Sequence, residues 1–394
     1  MLYDDPMKIY LVGGAVRDQM RGKTPRDHDY VVLESSAEEL LARGFQQVGT
    51  NLPVFLHPET RDEYTLTEST IEEDLARRDL TINAMAMDQQ GNLIDPFGGK
   101  KDIEQKLIKH VSSRFSEDPL RVMRVARFKA HNPDYQIDSG TLKLMQQTSA
   151  SFEYRSLAGE RVFNELREAL KAKRPSVFFE VLKEARGLEP YFSELKALVG
   201  VAQVPKHHPE GDCWVHTMLV LDQAAKISTN LIVRYSALVH DLGKGVTAPD
   251  LLPRHIGHEE TGLPLVLKMS QRLLIPADWL EAALIVTRFH LKVHRLQEMK
   301  ASTIVRMFYE MDAFRKPWLV EVLALACEAD EGGKLRPDRD EARWLMSYFN
   351  VVREIGAAEV SGELKGKALG DEIRAERVRR LARAMKTPNN FQLR

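Results

Sequence analysis

The sequence predicts a small α/β head followed by a longer all-α body. Up to about residue 105, short apolar runs with strand-like alternation are mixed with two helical segments. From Ser116 onward almost every segment has helical periodicity, interrupted by short runs rich in turn residues. The segment GNLIDPFGGKKD lies between these regions, and its many turn residues indicate a hinge that closes the head.

Each element of the head is a short apolar run bounded by turn residues. A helix is predicted around Asp18 and another over residues 37–43, where apolar side chains recur with helical spacing. The predicted strands are, in order, KIYLVGG, DHDYVVL, PVFLH, DEYTLT and LTINAMAMD. The helices of the body are predicted to break at AHNPD, KRP, VPKHHPEGD, TAPDLLP and RPDRD.

The composition is that of a globular protein with several domains. Of 394 residues, 43% are hydrophobic and 29% charged, which provides apolar material for more than one core. The formal net charge of −1 means that a site for a polyanion must be local, formed by clustered Arg and Lys.

Several features favour a cytoplasmic location. Cys213 and Cys327 lie far apart, which suits a reducing compartment and argues against a disulfide framework. The acidic N-terminus is unlike a signal peptide, and we expect the residues before Met7 to be a short leader. No segment approaches the roughly 18 apolar residues of a membrane span, so no membrane partner is expected.

A strand that ends in Gly13-Gly14 predicts a turn that holds an anion. Because neither residue has a Cβ atom, backbone N–H groups can approach a phosphate closely. Arg17 follows on the next turn and offers a charged fork to a triphosphate. The same short motif also occurs in ordinary strand-to-helix turns, which remains the alternative.

Asp27 and Asp29 indicate a site for a divalent cation. Side chains alternate along a strand, so both carboxylates are predicted to point to one face while His28 points away. Adjacent carboxylates repel, and their hard oxygen ligands suit Mg²⁺, which aligns a triphosphate and activates an attacking hydroxyl. A solvated acidic edge strand is the alternative, but it does not explain the apolar YVVL that follows.

Two groups of arginines are further candidates for contact with a triphosphate. Arg78 lies where the basic pair of DLARRDLTINAMAMD meets a strand-like apolar segment. In SEDPLRVMRVARF, with Pro119 at the first helical position, the arginines at 121, 124 and 127 occupy one sector of a helix. A solvated basic pair and an amphipathic helix with solvated arginines remain the alternatives.

Four motifs in this order resemble those of the class II tRNA nucleotidyltransferases, the CCA-adding enzymes related to bacterial poly(A) polymerases. The motifs are LVGGAVRD…DHD, RRDLTINA, DPFGG and EDPLRVMRVARF. The resemblance implies a polymerase-β-like nucleotidyltransferase head with a small mixed sheet, followed by an all-α neck and body. It implies the following domains: the head at 1–110, a helical neck for the nucleotide base and tRNA at 111–200, an HD domain at 201–340 and a helical tail at 341–394.

The resemblance also implies roles for individual residues. Asp27 and Asp29 would hold magnesium, and Asp118 and Arg121 would read the Watson–Crick edge of the incoming base. A carboxylate and a guanidinium can match cytosine and adenine and mismatch uracil and guanine, at about 1–3 kcal/mol for each unsatisfied buried group. The implied nucleotide-binding residues are Gly14, Arg17, Arg78, Asp118, Arg121, Arg124 and Arg127.

One segment departs from the family pattern. Members that add all of CCA carry a flexible loop between the strand near DEYTLT and the RRD motif, whereas here about nine residues, 68–76, join them. In the family this loop is tied to the switch from C to A addition, and enzymes that add only CC have it shortened. We therefore hold open whether the protein adds CC alone or is a CCA-adding enzyme with a compact loop.

The body carries histidines and acids on successive predicted helices. One pair is adjacent on an apolar helix that is predicted to end at Gly243. Imidazole and carboxylate ligands from several helices can enclose one or two divalent ions with open positions for water. The candidate ligands are His216, His240, Asp241 and Asp330, with His258 and His290 as further candidates.

The pattern H…HD…D resembles the HD phosphohydrolase superfamily, and HEETG is similar to its additional histidine block. A head, neck and HD domain in tandem is similar to the long bacterial CCA-adding enzymes. This resemblance implies metal-dependent phosphatase and 2′,3′-cyclic phosphodiesterase activity, with a transition-metal ion such as Ni²⁺ or Mn²⁺. A degenerate HD fold that serves only as a tRNA-binding scaffold is the alternative.

The sequence thus predicts a cytoplasmic, Mg²⁺-dependent enzyme that adds CCA, or CC alone, to the 3′ end of tRNA with CTP and ATP. We expect a monomer or a homodimer. A poly(A) polymerase is the nearest alternative, because it shares the head motifs. A nucleotide-sensing regulator or tRNA-binding module with inactive sites is the alternative from another class.

Overall fold

The computed structural model describes residues 7–25, 27–48, 54–206, 208–332, 341–360 and 364–386. The chain forms two compact units, one of residues 1–157 and 181–187 and the other of residues 158–180 and 188–394. The finer domain boundaries at residues 110, 200 and 340 remain predictions. None of the described helices is both long enough and apolar enough to cross a membrane.

The first unit is built on a mixed sheet. Among the described residues, seven strands pair in the order β3-β4-β5-β2-β1-β6-β7, and β8 and β9 form a separate parallel pair. Within the larger sheet β2 and β5 run parallel, and the other neighbours run antiparallel. The strands are β1 (Lys8–Val12), β2 (Asp29–Leu33), β3 (Gln46–Val48), β4 (Val54–Leu56), β5 (Glu63–Leu66), β6 (Ala86–Met87), β7 (Leu93–Ile94), β8 (Leu107–Ile108) and β9 (Gln136–Ile137).

Both faces of the sheet are covered. Val12 and Val31 pack with Leu75 on one face, and Val32 belongs to a second apolar cluster on the other. Because side chains alternate along a strand, Asp29 lies on the same face of β2 as Val31. The register sets Asp29 opposite Val12, at the end of β1 where the Gly13-Gly14 turn begins.

Short helices connect and cover these strands. Capping boxes start two of them, Ser36 with Glu39 and Thr70 with Glu73, and satisfy N–H groups that a helix leaves open at its start. The helices of this unit are α1 (Gly14–Met20), α2 (Ala37–Ala42), α3 (Ile71–Ala76), α4 (Gly99–Glu104), α5 (Arg121–His131), α6 (Ser139–Ser149) and α7 (Phe152–Arg155).

The predicted strand LTINAMAMD is only partly a strand. Thr81–Asn83 form a 3₁₀ turn, and the strand is confined to Ala86–Met87. The hydroxyl of Thr81 donates to buried Asp102 at 2.6 Å, and the Asn83 amide donates to Asp79 at 3.0 Å. These side-chain bonds support a turn where the apolar pattern alone predicts extended backbone.

The segment predicted as a hinge is part of the head. GNLIDPFGGKKD supplies β7 and the start of α4. A Cβ at Gly99 would lie 2.3 Å from the Thr81 carbonyl oxygen, so this glycine allows α4 to pack directly against the backbone of the 3₁₀ turn. The turn residues therefore serve close packing inside the unit.

The second unit is helical throughout its described elements, as predicted. The predicted break at RPDRD lies outside the described residues. The helix α9 contributes residues to both units. The helices are α8 (Gly159–Leu170), α9 (Ser176–Glu184), α10 (Ser193–Lys196), α11 (Cys213–Ile227), α12 (Leu231–Val239), α13 (His258–Leu273), α14 (Ala277–Val293), α15 (Ala301–Glu310), α16 (Trp318–Gly332), α17 (Glu341–Arg353) and α18 (Gly366–Met385).

One apolar core joins α11, α12, α14 and α16, which carry or lead into every predicted metal ligand except His258. Val220 on α11, Ala237 on α12, Val286 and Phe289 on α14 and Leu323 on α16 belong to a single buried cluster. A close-packed core of this kind fixes helix positions, because side chains interdigitate with few voids. Polar side chains on these helices are therefore held in defined places.

Candidate active sites

The β1–α1 turn lies against Arg78. Gly13 has φ of +70°, and a Cβ at this residue would be 2.7 Å from Nη1 of Arg78. The same guanidinium donates from Nε and Nη2 to Asp74 Oδ2, at 3.2 and 3.1 Å. The predicted anion-binding turn and the predicted nucleotide-binding arginine are therefore in contact.

Arg17 belongs to a chain of polar contacts that reaches the arginine helix. Its Nη1 donates to Asn83 Oδ1 at 2.7 Å, and the Asn83 amide donates to Asp79 Oδ1. The other oxygen of Asp79 accepts from Arg124 Nε at 2.8 Å. This chain connects α1, the 3₁₀ turn and α5, so three of the sequence motifs form one network.

Asp79 is the buried centre of this network. Burial by itself raises the pKa of its carboxyl, but the Arg124 guanidinium, the Asn83 amide and the Leu80 N–H outweigh burial and lower that pKa. Asp79 and Asn83 were not among the predicted site residues. Their spacing of four residues within RRDLTINA is the signal that could have found them.

The carboxylates of the DHD motif lie at the start of β2. The strand begins at Asp29, and Asp27 precedes it in a bend. The side-chain alternation predicted for both carboxylates therefore applies only to Asp29. Burial of the Asp29 carboxylate raises its pKa; Asp27 raises it further, and Arg78 opposes the change. Asp27 and Arg78 are thus both close enough to influence the Asp29 carboxylate.

Asp62 is a third carboxylate that the sequence reading missed. It precedes β5, which runs parallel to β2, so the two strands begin at the same edge of the sheet. Its charge also raises the pKa of Asp29, and its Oδ1 lies 3.6 Å from His28 Nδ1. Mutually repelling oxygen donors of this type fit a hard divalent ion such as Mg²⁺.

The start of the arginine helix is held by backbone carbonyls. The helix α5 begins at Arg121, two residues later than Pro119, where the sequence predicted its first position. The Arg121 guanidinium donates to the carbonyls of Arg114, at 2.8 Å, and Arg77. Asp118 Oδ1 accepts the Leu120 N–H at 3.2 Å. Arg121 and Arg124 therefore have protein partners, and Arg127 is half-buried.

In the second unit the predicted ligands come together around Asp241. Its Oδ2 lies 3.2 Å from His240 Nε2 and 3.6 Å from His216 Nε2, and its Oδ1 lies 3.1 Å from His258 Nε2 and 3.5 Å from His290 Nε2. Asp330 Oδ1 is 2.9 Å from His216 Nε2. All six predicted ligands are buried.

A glycine allows this convergence. The helix α12 ends at Val239 instead of at Gly243 as predicted, and residues 242–246 form a 3₁₀ segment. A Cβ at Gly243 would lie 2.0 Å from the His258 carbonyl oxygen. Only a residue without a side chain lets the start of α13 approach closely enough to bring His258 to Asp241.

Backbone carbonyls fix the orientation of three imidazoles. The Nδ1 of His240 lies 2.8 Å from the Ala237 carbonyl oxygen, that of His258 lies 2.7 Å from His255, and that of His290 lies 3.0 Å from Thr287. A proton on Nδ1 leaves the lone pair on Nε2, which is the form that binds a metal. All three Nε2 atoms face Asp241.

These residues fit a divalent metal centre. Two groups, His216–His240–Asp241 and Asp241–His258–His290, each place three ligand atoms within 4.8 Å of one another. In the part of the chain that the structure describes, buried His240 Nε2 and Asp241 Oδ1 lack a hydrogen-bond partner. A buried polar atom without a partner is costly, and a metal would satisfy it. Imidazole and carboxylate ligands suit Mn²⁺, Ni²⁺ or Zn²⁺.

The charges around Asp241 keep it ionised. Burial raises the pKa of its carboxyl, but the His240 imidazole and the Lys244 ammonium outweigh burial and hold that pKa well below its usual range. Burial lowers the pKa of His290 to about 4, more than Asp241 raises it, so this imidazole is neutral at pH 7. Both groups are thus in the form that a metal requires.

The surroundings of this centre contain residues that the sequence reading missed. Buried Lys244 lies 2.5 Å from Asp241 Oδ2, and His294 Nε2 lies 2.5 Å from Asp330 Oδ2. Glu210 Oε1 lies 2.8 Å from His216 Nδ1. Lys244 and His294 follow predicted ligands by three and four residues, a helical spacing that could have found them. Glu210 lies in a loop without such a signal.

Two family profiles match parts of the chain, and several proteins are similar over nearly all of it. The profile described as "Poly A polymerase head domain" matches residues 53–109, and "Probable RNA and SrmB- binding site of polymerase A" matches residues 134–198. The "Multifunctional CCA protein" of Acinetobacter baylyi is 44% identical over 96% of this chain and 98% of its own. That of Hahella chejuensis is 42% identical over 94% of each chain.

Solved structures share the fold. The Thermotoga maritima CCA-adding enzyme complexed with tRNA_CCA has a TM-score of 0.63 at 18% identity, covering 95% of this chain and 87% of that one. A CCA-adding enzyme in complex with ATP has a TM-score of 0.65 at 20% identity, covering 95% and 88%. The predicted fold class, a polymerase-β-like head with a mixed sheet and a helical remainder, is confirmed.

Proposed function

The chain belongs to the CCA-adding family of tRNA nucleotidyltransferases, and on that premise we propose that it adds CCA to the 3′ end of tRNA with CTP and ATP. The observation that carries the proposal is that Asp29, whose carboxylate Asp27 and Arg78 both influence, lies opposite Val12, at the end of β1 where Arg78 contacts the Gly13 turn. Relatives named for CCA and solved complexes of CCA-adding enzymes with ATP, with CTP and with tRNA support it.

The head residues have complementary roles in this proposal. Asp27 and Asp29 hold Mg²⁺, which when bound neutralises phosphate charge and favours attack by a hydroxyl. Arg17 and Arg78 bind the triphosphate beside the Gly13-Gly14 turn, where the missing Cβ atoms let a phosphate approach the backbone closely. The 3′-hydroxyl of the tRNA attacks the α-phosphate, and pyrophosphate leaves. Such a reaction depends chiefly on positioning and charge.

Asp118 and Arg121 select the base. The two bonds that Arg121 makes to the Arg114 and Arg77 carbonyls orient its guanidinium. A guanidinium has five N–H donors, so further donors can face a base. On their Watson–Crick edges, cytosine and adenine each offer a ring-nitrogen acceptor to the guanidinium and an amino donor to the Asp118 carboxylate. Uracil and guanine do not present this acceptor and donor at the matching positions. Arg124 holds Asp79, and we propose that Arg127 lies along the same nucleotide.

A specific observation keeps CC addition as a second candidate. The chain between β5 and Arg77 contains the capped helix α3, and residues 67–70 are all that joins this helix to the strand. This leaves little chain for a long mobile loop. The names of the relatives favour full CCA addition, and the short connection favours addition of CC alone.

Product length distinguishes these candidates. A tRNA that ends before CCA is incubated with the protein, Mg²⁺, CTP and ATP, and the product is sized. Extension by three nucleotides supports CCA addition, and a stop after two with ATP present supports CC addition. A long tract of A made without CTP would instead indicate a poly(A) polymerase. No extension under any condition would contradict nucleotidyl transfer.

We also propose a metal-dependent phosphohydrolase in the second unit, acting on phosphomonoesters and 2′,3′-cyclic phosphates. The six predicted ligands would hold the metal, which supplies an activated nucleophile and stabilises negative charge on phosphate. Asp241 belongs to both groups of ligands, and Lys244 beside it offers a positive charge. Mn²⁺- or Ni²⁺-dependent hydrolysis of 2′,3′-cyclic AMP tests the proposal, and its absence in the purified protein would contradict it.

A further inference from the structure

His216 differs from the other histidines of the second unit in how its Nδ1 is bound. For His240, His258 and His290, Nδ1 faces the carbonyl oxygen three residues earlier. For His216, at the fourth position of α11, that carbonyl belongs to Cys213 and already accepts the Thr217 hydroxyl at 2.9 Å. The Nδ1 of His216 instead lies 2.8 Å from Glu210 Oε1.

We propose that Glu210 is a positioning residue that makes His216 an Nε2 metal ligand. The inference rests on the proposed metal-dependent function of this unit. A proton on Nδ1, facing the carboxylate 2.8 Å away, leaves the lone pair on Nε2. That atom lies 2.9 Å from Asp330 Oδ1 and 3.6 Å from Asp241 Oδ2, on the side of the other ligands. The Glu210 carboxylate thus orients the His216 ring, as backbone carbonyls orient the rings of His240, His258 and His290.

The setting of Glu210 supports this role. Its side chain is 6% exposed, and the His216 side chain is fully buried. His208 Nδ1 lies 3.0 Å from the same oxygen, Oε1, and is a second imidazole partner of the carboxylate. A buried carboxylate held by two imidazoles cannot easily change direction, so the His216 ring is fixed as well. Carboxylates behind a ligating histidine commonly change metal affinity by about 10–100-fold.

The test measures Mn²⁺ affinity of the full-length protein by competition with a chelator. Removing the carboxylate with Glu210→Ala is expected to weaken binding by about 10–100-fold. Glu210→Gln keeps an acceptor but not the charge, so its affinity is expected between those of the wild type and the alanine variant. Glu189→Ala is the matched control, because Glu189 forms an exposed pair with Lys196, and it should bind Mn²⁺ like the wild type.

Far-UV circular dichroism and thermal unfolding of each variant report that it is folded. A folded Glu210→Ala protein that binds Mn²⁺ as tightly as the wild type would overturn the inference. If this variant does not fold, Glu210→Gln decides, and an affinity equal to that of the wild type would overturn the inference. A wild-type protein that does not bind Mn²⁺ would overturn the metal-dependent function together with the inference, whereas failure of Glu210 alone leaves that function standing.

Discussion

Single residues bring the motifs of the head into contact. Gly13 leaves the space that the Arg78 guanidinium fills, and Asp79 connects the RRD motif to the arginine helix through Arg124. The sequence predicted Arg78 and Arg124 as binding residues from their motifs. It could not predict that Asp79 is buried between them, because burial depends on how α5 packs.

Replacing Gly13 with alanine tests the contact with Arg78. The added Cβ would meet Nη1 at 2.7 Å, so the guanidinium must move away from the turn. We expect the KM for CTP to rise roughly tenfold, the effect of losing about 1.4 kcal/mol of binding. Gly22→Ala is the control, because φ there is +67° and no atom of the described residues lies within 4 Å of its Cβ. Equal effects of both variants would contradict the prediction.

Asp79 makes the stability of the head depend on pH. Its pKa in the folded state lies below the ordinary value of 3.8, so its contribution is present above pH 4 and is lost as the pH falls through the folded pKa. At pH 7, Asp79→Asn is expected to lower the free energy of unfolding by about 1–3 kcal/mol. The difference from the wild type should shrink in urea titrations at pH 3.5.

An exposed pair of the same kind is the control for Asp79. Asp134 lies 2.7 Å from Lys106, with more than half of each side chain exposed. Exposed pairs contribute little to stability, so Asp134→Asn should behave like the wild type at both pH values. A similar loss in both variants would show that burial of Asp79 is not the cause.

At the scale of elements, the sequence predicted the longer ones and missed the shortest. Apolar periodicity located β1, β2 and the helices of the body. It could not locate β7, β8 and β9, because each of these strands has only two residues, too few to show an alternation of apolar and polar side chains. Residues 68–76 are predicted as a short connection, whereas the structure forms α3 there, and its capping box of Thr70 and Glu73 is readable from the sequence.

Contacts between elements could not be predicted from the sequence either. The helix α12 was predicted to continue to Gly243, but it ends at Val239. Gly243 then allows α13 to approach, and that approach brings His258 to Asp241. The order of the ligands along the chain was readable from the motif, whereas their convergence depends on helix packing.

Arg234 stabilises the ends of two helices. Its buried guanidinium donates to the carbonyls of Leu170 and Ala172, at and just after the end of α8, and of Ala225 and Ser228, at and just after the end of α11. Arg234→Met would leave these acceptors without a donor, and we expect a loss of about 3 kcal/mol in the free energy of unfolding. Arg167→Met, on the exposed side of α8, should change stability little. Denaturation monitored by circular dichroism compares them.

At the scale of the whole molecule, each compact unit contains its own candidate site. The head residues lie in the first unit and the six predicted metal ligands in the second. The sequence predicted both sets, because short motifs with fixed spacing carry them. It could not predict a partner that orients a ligand from a loop without a spacing signal, such as Glu210.

Separate sites predict separable activities. His240→Ala removes an imidazole that lies 3.2 Å from Asp241 Oδ2, so Mn²⁺-dependent hydrolysis of 2′,3′-cyclic AMP should fall by roughly 100-fold or more. Transfer of CMP to tRNA should be unchanged, because His240 lies in the other unit. Hydrolysis that persists in this variant would contradict the assignment of the metal site.

Extension of a tRNA that lacks CCA is the most direct test of nucleotidyl transfer by the head. The assay compares the wild type with the variants Asp29→Asn and Glu34→Gln. Glu34 follows the opposite end of β2 and pairs with Lys8 at the surface, so its variant controls for loss of a charge on this strand. We predict three-nucleotide extension by the wild type and by Glu34→Gln, and a rate reduced by roughly 100-fold or more in Asp29→Asn. Extension by Asp29→Asn at the wild-type rate, or none by the wild type, would contradict the proposed function.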